Sequence, residues 1–295
     1  MGKRYLVVDQ NVLRKPFLAD MVRAQPDIRY VLPDLAFMEM TKTPQWESTL
    51  HNSLAVLSTV PSRVNVTISI NEALGQELRT TKPSIGHLIS PNATAFVRDI
   101  LESVRTGTDG WALSRIRLNP EYHLETLARD HLQHEENKKL LIELRDATRT
   151  KVPPEVQKRM RQKKLSDEER LDLLHQIGTS LAVPVVSSQG ITEANARAFL
   201  RKKPMVFRYL LLKVWRSLFW IENGGAESFV PSAATNEEID DQYILTATAF
   251  DGLLSEEKSA NLAFKALEKA LSRKLARARS AQDPAPAAGL KNAPI

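Results

Sequence analysis

Tyr5-Leu6-Val7-Val8-Asp9-Gln10-Asn11-Val12-Leu13 decides the fold. Tyr5 to Val8 is a short apolar run rich in β-branched valine and closed by Asp9 and Asn11, which predicts a buried strand. A helix is expected behind it, from about Val12 to Ala24. Ile28–Leu32 repeats the pattern and runs into Pro33, whose fixed φ suits the first position of a helix carrying Leu35, Phe37, Met38 and Glu39. Arg63–Ile70 alternates, with Val64, Val66, Ile68 and Ile70 on one face, and predicts a half-buried third strand. The N-terminal section is therefore α/β.

From Asn71 to about Gly225 the pattern becomes helices punctuated by Pro and Gly. Helix starts are expected at Pro91-Asn92, at the capping box Ser166-Asp167-Glu168-Glu169, and at Thr192-Glu193. Lys158-Arg159-Met160-Arg161-Gln162-Lys163-Lys164 is either a solvated helix face or a surface that meets phosphates. Phe207, Tyr209, Trp215, Phe219 and Trp220 could stack bases, but the interleaved Leu210, Leu211, Leu212 and Val214 make a core helix the simpler expectation. The α/β pattern then returns. Thr235-Asn236-Glu237-Glu238 is a capping box expected to open a helix through about Ala249, Phe250–Leu254 is a short strand, and Ser255-Glu256-Glu257 caps a long last helix. The expected organisation is an α/β domain split between residues 1–80 and 235–280, an all-helical insertion over 81–234, and a disordered Pro/Ala-rich tail over 281–295.

Composition narrows the chemistry. The 295 residues carry a formal charge of +6 and a pI near 9.4, a balance that suits an anionic partner. Cysteine is absent, so thiolate metal sites, disulfides and Cys nucleophiles are excluded, and any metal must be held by oxygen or histidine. The most apolar stretch, Met205–Ile221, is interrupted by Arg208, Lys213 and Arg216, and the start lacks a signal-peptide pattern. A cytoplasmic protein with no membrane partner is expected.

Acids recur at one kind of place, the carboxyl end of an apolar strand or the first turns of the helix beside it: Asp9, Glu39, Asp241 and Glu257. Ligands of open parallel sheets bind outside those strand ends, where residues remote in sequence converge. Carboxylates gathered there repel one another unless a hard cation neutralises them, and oxygen donors suit Mg²⁺ or Mn²⁺. Each acid also has an ordinary explanation, since helix N-termini favour Asp and Glu through the dipole.

Three segments together resemble the PIN-domain nuclease family. Leu6–Leu13 is similar to the family's strand with Asp, a spacer, Asn or Ser and an apolar helix start. Leu32-Pro33-Asp34-Leu35-Ala36-Phe37-Met38-Glu39 is similar to its Glu-bearing helix, and Asp240–Lys258 to its Asp-led helix, short strand and Thr/Ser-x-Asp ending. The resemblance covers roughly residues 3–80 and 235–275. It implies a PIN-like parallel-sheet α/β/α domain and Mg²⁺- or Mn²⁺-dependent phosphodiester hydrolysis leaving a 5′-phosphate, on RNA more than DNA, with a toxin or defence role. It implies Asp9, Glu39, Asp241 and Glu257 as metal-binding acids, Asn11 and Ser255 as polar helpers, Asp240 as a competitor of Asp241, and Asp251 and Glu256 as reserve ligands. An inhibitor or antitoxin protein and a homo-oligomer are further partners to consider. The sequence departs from the family in its terminal Glu in place of Asp, in its doubled length, and in the absence of a final strand. On the last helix Lys258, Lys265, Lys269, Arg273 and Arg277 recur largely at i, i+4 beside the apolar stripe Phe264, Leu267, Leu271 and Leu275, which could track a phosphate backbone or simply be solvated. The rival from another class is a catalytically silent nucleic-acid-binding or scaffold protein that keeps the fold. A phosphohydrolase acting on a small nucleotide is a third reading, which a narrow cleft without a basic track would support.

Overall fold

The computed structural model describes residues 2–41, 44–118, 134–224 and 231–273. Among them lies a four-stranded, all-parallel sheet, β1 (Arg4–Val8), β2 (Ile28–Leu32), β3 (Val64–Val66) and β4 (Leu253–Leu254), in the order β3-β2-β1-β4. Leu6, Val7, Val8, Val31, Leu32, Val64 and Val66 are buried, as strands covered on both faces require. Both ends of the chain thus meet in one sheet, as the sequence predicts. The chain steps outward from β1 to β3, and β4 returns on the other side of β1. The carboxyl ends of β1 and β4 consequently flank the point where strand order reverses, the usual ligand crevice of such sheets.

Several elements differ from expectation for identifiable reasons. Behind β1 the Asp9 side chain accepts from the Asn11 amide and starts a 3₁₀ turn, Gln10–Val12, before α1 (Pro16–Ala24) begins with proline in its first turn. A proline there gives up an amide that would be unpaired anyway. α2 (Asp34–Thr41) and α3 (Trp46–Leu54) follow β2. β3 stops at Val66, well short of Ile70, because Ser69 turns the chain: its hydroxyl accepts from the Glu72 amide and caps α4 (Ile70–Thr80). Thr67 adds only a single bridge to Ile89.

The helical body comprises α5 (Pro91–Thr106), α6 (Trp111–Leu118), α7 (His134–Lys151), α8 (Pro154–Arg161), α9 (Asp167–Ser187), α10 (Glu193–Leu200) and α11 (Met205–Asn223). Ser90, Ser166 and Thr192 cap α5, α9 and α10, the Ser166–Glu169 pair closing a full capping box. α11 is the core helix expected from its sequence. Leu211, Leu212, Val214 and Trp220 are buried on it, and Gly178 of α9 admits Leu211 so closely that a Cβ would lie 2.6 Å from Leu211 Cδ2.

α12 (Pro231–Thr248) begins before the predicted Thr235 box, so the expected 234/235 boundary falls inside a helix. β4 is two residues, not five, and α13 (Lys258–Ser272) closes the described chain. One contiguous core runs from the sheet into the helical body, including Val7, Val31, Leu101, Leu174, Leu212 and Leu267. A buried carboxylate joins the two parts. Glu77 of α4, fully buried, accepts from the amides of Ser84 (2.7 Å), Met205 (2.9 Å) and Val206 (2.9 Å) and from the Ser84 hydroxyl (2.9 Å). It thereby satisfies the open amides at the start of α11.

Candidate functional site

Asp9 stands at the end of β1, only 7% exposed. Its amide donates to Leu254 O of β4 (2.9 Å), and one carboxylate oxygen accepts from Ser255 Oγ (2.6 Å). Ser255 Oγ also accepts from the Glu257 amide (3.1 Å), and Asn11 Oδ1 from the Glu256 amide (3.4 Å). The expected helpers Asn11 and Ser255 thus stitch the ends of β1 and β4 together across the crevice. Burial raises the Asp9 carboxyl above the ordinary Asp range. The bonds from Ser255 and Asn11 oppose that rise, and the charge of Glu257 adds to it.

α12 contributes the next acid, and the helix phase decides which. Asp240 and Tyr243, three residues apart, share one face. Asp240 is pushed up to about 7, first by burial, with the guanidinium of Arg216 opposing and the charges of Asp9, Asp241 and Glu257 reinforcing. Asp241 faces away into the helical body. It is 2% exposed and accepts from Lys213 Nζ (2.9 Å) and Arg216 Nε (3.0 Å) of α11. Two buried cations thus hold the oxygens of Asp241, the acid expected to bind metal, while its competitor Asp240 is the one coupled to Asp9 and Glu257. Lys213 also bonds Glu238. Burial would strip its proton, but the Asp241 and Glu238 carboxylates overrule that and hold it firmly charged.

Glu39 on α2 approaches from the other side of β1, where one oxygen accepts from the Tyr243 hydroxyl (2.5 Å). Tyr243 is 2% exposed, and burial followed by the charges of Glu39 and Asp9 keeps its hydroxyl protonated far above the usual range. Tyr243 was not anticipated from the sequence; its spacing from Asp240 was the available signal. Lys213 and Arg216 were also missed, although cations in so apolar a helix announce buried partners. Replacing Tyr243 with Phe leaves the Glu39 oxygen without this donor, and urea melts are expected to show a loss of about 1–2 kcal/mol.

The remaining candidates separate cleanly. Glu257, exposed at the start of α13, belongs to the cluster through its charge on Asp9 and Asp240. Glu256 instead pairs with Lys15 at 2.7 Å. Asp251 is a fastener of the sheet, accepting from the Tyr5 amide (2.7 Å) at the opposite end of β1, roughly 13 Å of strand from Asp9; its role as a reserve ligand is corrected accordingly. Lys258, Lys265 and Lys269 are exposed. Arg273 leaves the basic stripe, since its guanidinium pairs with Glu168 and Asp172 of α9. Arg277 and the 281–295 tail lie outside the described residues.

Asp9, Asp240, Glu39 and Glu257 are oxygen donors, and burial and neighbouring acids raise the carboxyls of Asp9 and Asp240 above the ordinary Asp range. That is the state a hard divalent cation relieves, so the residues fit Mg²⁺ or Mn²⁺ chemically. Among the described residues no three Asp, Glu or His side chains form a ready-made ion cage, so binding would require their side chains to turn inward. No helix among the described residues is long and apolar enough to cross a membrane. Comparison with protein-family models, with curated proteins and with solved structures finds no match to this chain.

Proposed function

We propose that this chain is a PIN-like, Mg²⁺- or Mn²⁺-dependent endonuclease, acting on RNA in preference to DNA. The observation that carries the proposal is the electrostatic coupling of Asp9, Asp240 and Glu257 at the carboxyl end of a parallel sheet, where the strand order reverses. These three, with Glu39, are the residues that would hold the ion; Asp241 is not among them. When bound, such an ion supplies Lewis acidity and charge neutralisation for phosphodiester hydrolysis. The chain's own groups do the rest. Ser255 fixes the Asp9 carboxylate, Tyr243 fixes Glu39, and exposed Lys258 beside Glu257 offers an ammonium to the phosphate backbone.

The test compares wild type with Asp9→Asn on single-stranded RNA and DNA, with Mn²⁺ or EDTA. Cleavage of RNA is expected in Mn²⁺ only, and the substitution should reduce it by on the order of 10³-fold or more. Equal residual cleavage by the variant would place the activity elsewhere. The silent-binder alternative draws on the Lys213–Asp241–Arg216 clamp and on the open arrangement of the acids. Wild-type protein that binds RNA without cutting it in either metal would favour that alternative.

A further inference from the structure

Apart from the acidic crevice, the molecule has a groove of about 420 Å³ between α9, α11 and α13. Its floor is apolar, with Leu171, Leu174 and Leu218 among the side chains that line it. Two large apolar side chains in it face solvent: Phe219 is 43% exposed and Leu262 58%. The Phe219 ring is stacked on Trp215, with centroids 5.7 Å apart and planes 19° from parallel, so one flat face is already backed by a second aromatic.

Three lysines line the same groove. Lys163, Lys265 and Lys269 are exposed and make no ion pair among the described residues. The acids present are Glu222, neutralised by Arg170, and Asp167 in the first turn of α9. The groove therefore carries a net positive rim around an aromatic platform. Such a combination suits a base on the ring with its phosphates on the ammonium groups. An aliphatic floor alone would not select that ligand; the free lysines and the presented ring do.

The location adds a second argument. α13 starts at the crevice, immediately after Glu257, and Lys265 follows eight residues later, about 12 Å along the helix axis; Lys265 and Lys269 are a further ~6 Å apart. One helix thus carries exposed lysines from the acids to the groove. We propose that the groove is a base-binding subsite for single-stranded nucleic acid, with Phe219 stacking one base and Lys265 and Lys269 contacting the adjoining phosphates. The proposal rests on the reading of the chain as a protein that acts on nucleic acid, and it names where the strand is gripped beyond the acids.

The experiment measures fluorescence anisotropy of a labelled ten-nucleotide oligoadenylate on the full chain in EDTA, where binding is read without cleavage. Phe219→Ala should weaken binding by about 5- to 150-fold, and a single abasic nucleotide in one register should cost the wild type affinity while costing the variant none. Lys265→Ala and Lys269→Ala should each lower the slope of log K against log salt by about 0.7. Thermal melts of these surface variants should match wild type. Unchanged affinity in Phe219→Ala overturns the subsite, as does a wild type that ignores the oligonucleotide and captures an acidic amphipathic peptide instead. Failure of Asp9-dependent cleavage with Phe219-dependent binding intact would refute the nuclease alone, so the two outcomes are separable.

Discussion

Asp240→Asn and Asp241→Asn are expected to fail in opposite ways. Asp240 is coupled to Asp9 and Glu257, so its amide should lose RNA cleavage by on the order of 10³-fold while the protein stays folded. Its folded-state pKa, about 7, lies above the ordinary Asp value of 3.8. The native state therefore keeps a proton that the unfolded chain has released, and the stability this confers is full below pH 3.8 and lost as pH rises through 7. In EDTA the Asp240→Asn protein should accordingly gain stability over wild type at pH 8, by on the order of 1 kcal/mol for a partly exposed group, and gain none at pH 4. Asp241→Asn removes the shared counter-charge of Lys213 and Arg216. Two buried cations left underpaired should lower stability by about 3–5 kcal/mol, with cleavage by the remaining folded fraction close to normal. Urea melts and cleavage assays on both variants decide the matter. A stable, inactive Asp241→Asn beside an active Asp240→Asn would reverse the assignment.

Glu77→Ala should be the most damaging change outside the crevice. Four donors converge on that fully buried carboxylate, including two amides at the start of α11. Deleting it leaves those donors unsatisfied in the core, at about 1–3 kcal/mol for each group without a replacement partner. A total loss on the order of 4 kcal/mol is expected. Glu77→Gln should retain part of the stability, since its carbonyl can still accept from Ser84 and Met205, but its amide then confronts the Val206 amide, donor against donor. Hydrogen exchange should show the amides of Met205 and Val206 opening first in both variants. Protection of those amides at the wild-type level would mean that α11 is anchored by its apolar contacts alone.

Legibility in the sequence followed the range of the interaction. β1, β2 and the capped starts of α5, α9 and α10 rest on signals a few residues long, and each sits where its residues predict. β3 was overextended because Ser69 fits a strand's polar face as well as it fits a helix cap. The Thr235 box lies inside a helix that starts at Pro231, so local capping chemistry there was outvoted. The choice between Asp240 and Asp241 depended on the rotation of α12 about its axis, which the buried lysine and arginine of α11 help to fix. Arg273 looked like part of a basic stripe because its partners, Glu168 and Asp172, are more than a hundred positions away in sequence.

Asp9 and Ser255, which touch at 2.6 Å, are separated by 246 positions in the chain. At a synthesis rate of ~5–20 residues per second, a ribosome needs roughly 12–50 s between the two. For most of that interval, from residue 39 to residue 239, the nascent polypeptide holds Asp9 and Glu39 but neither Asp240 nor Glu257. Whatever the assembled acids do, they begin only after the segment bearing Asp240 and Glu257 has been made, so a fragment that stops short of it lacks half of the cluster.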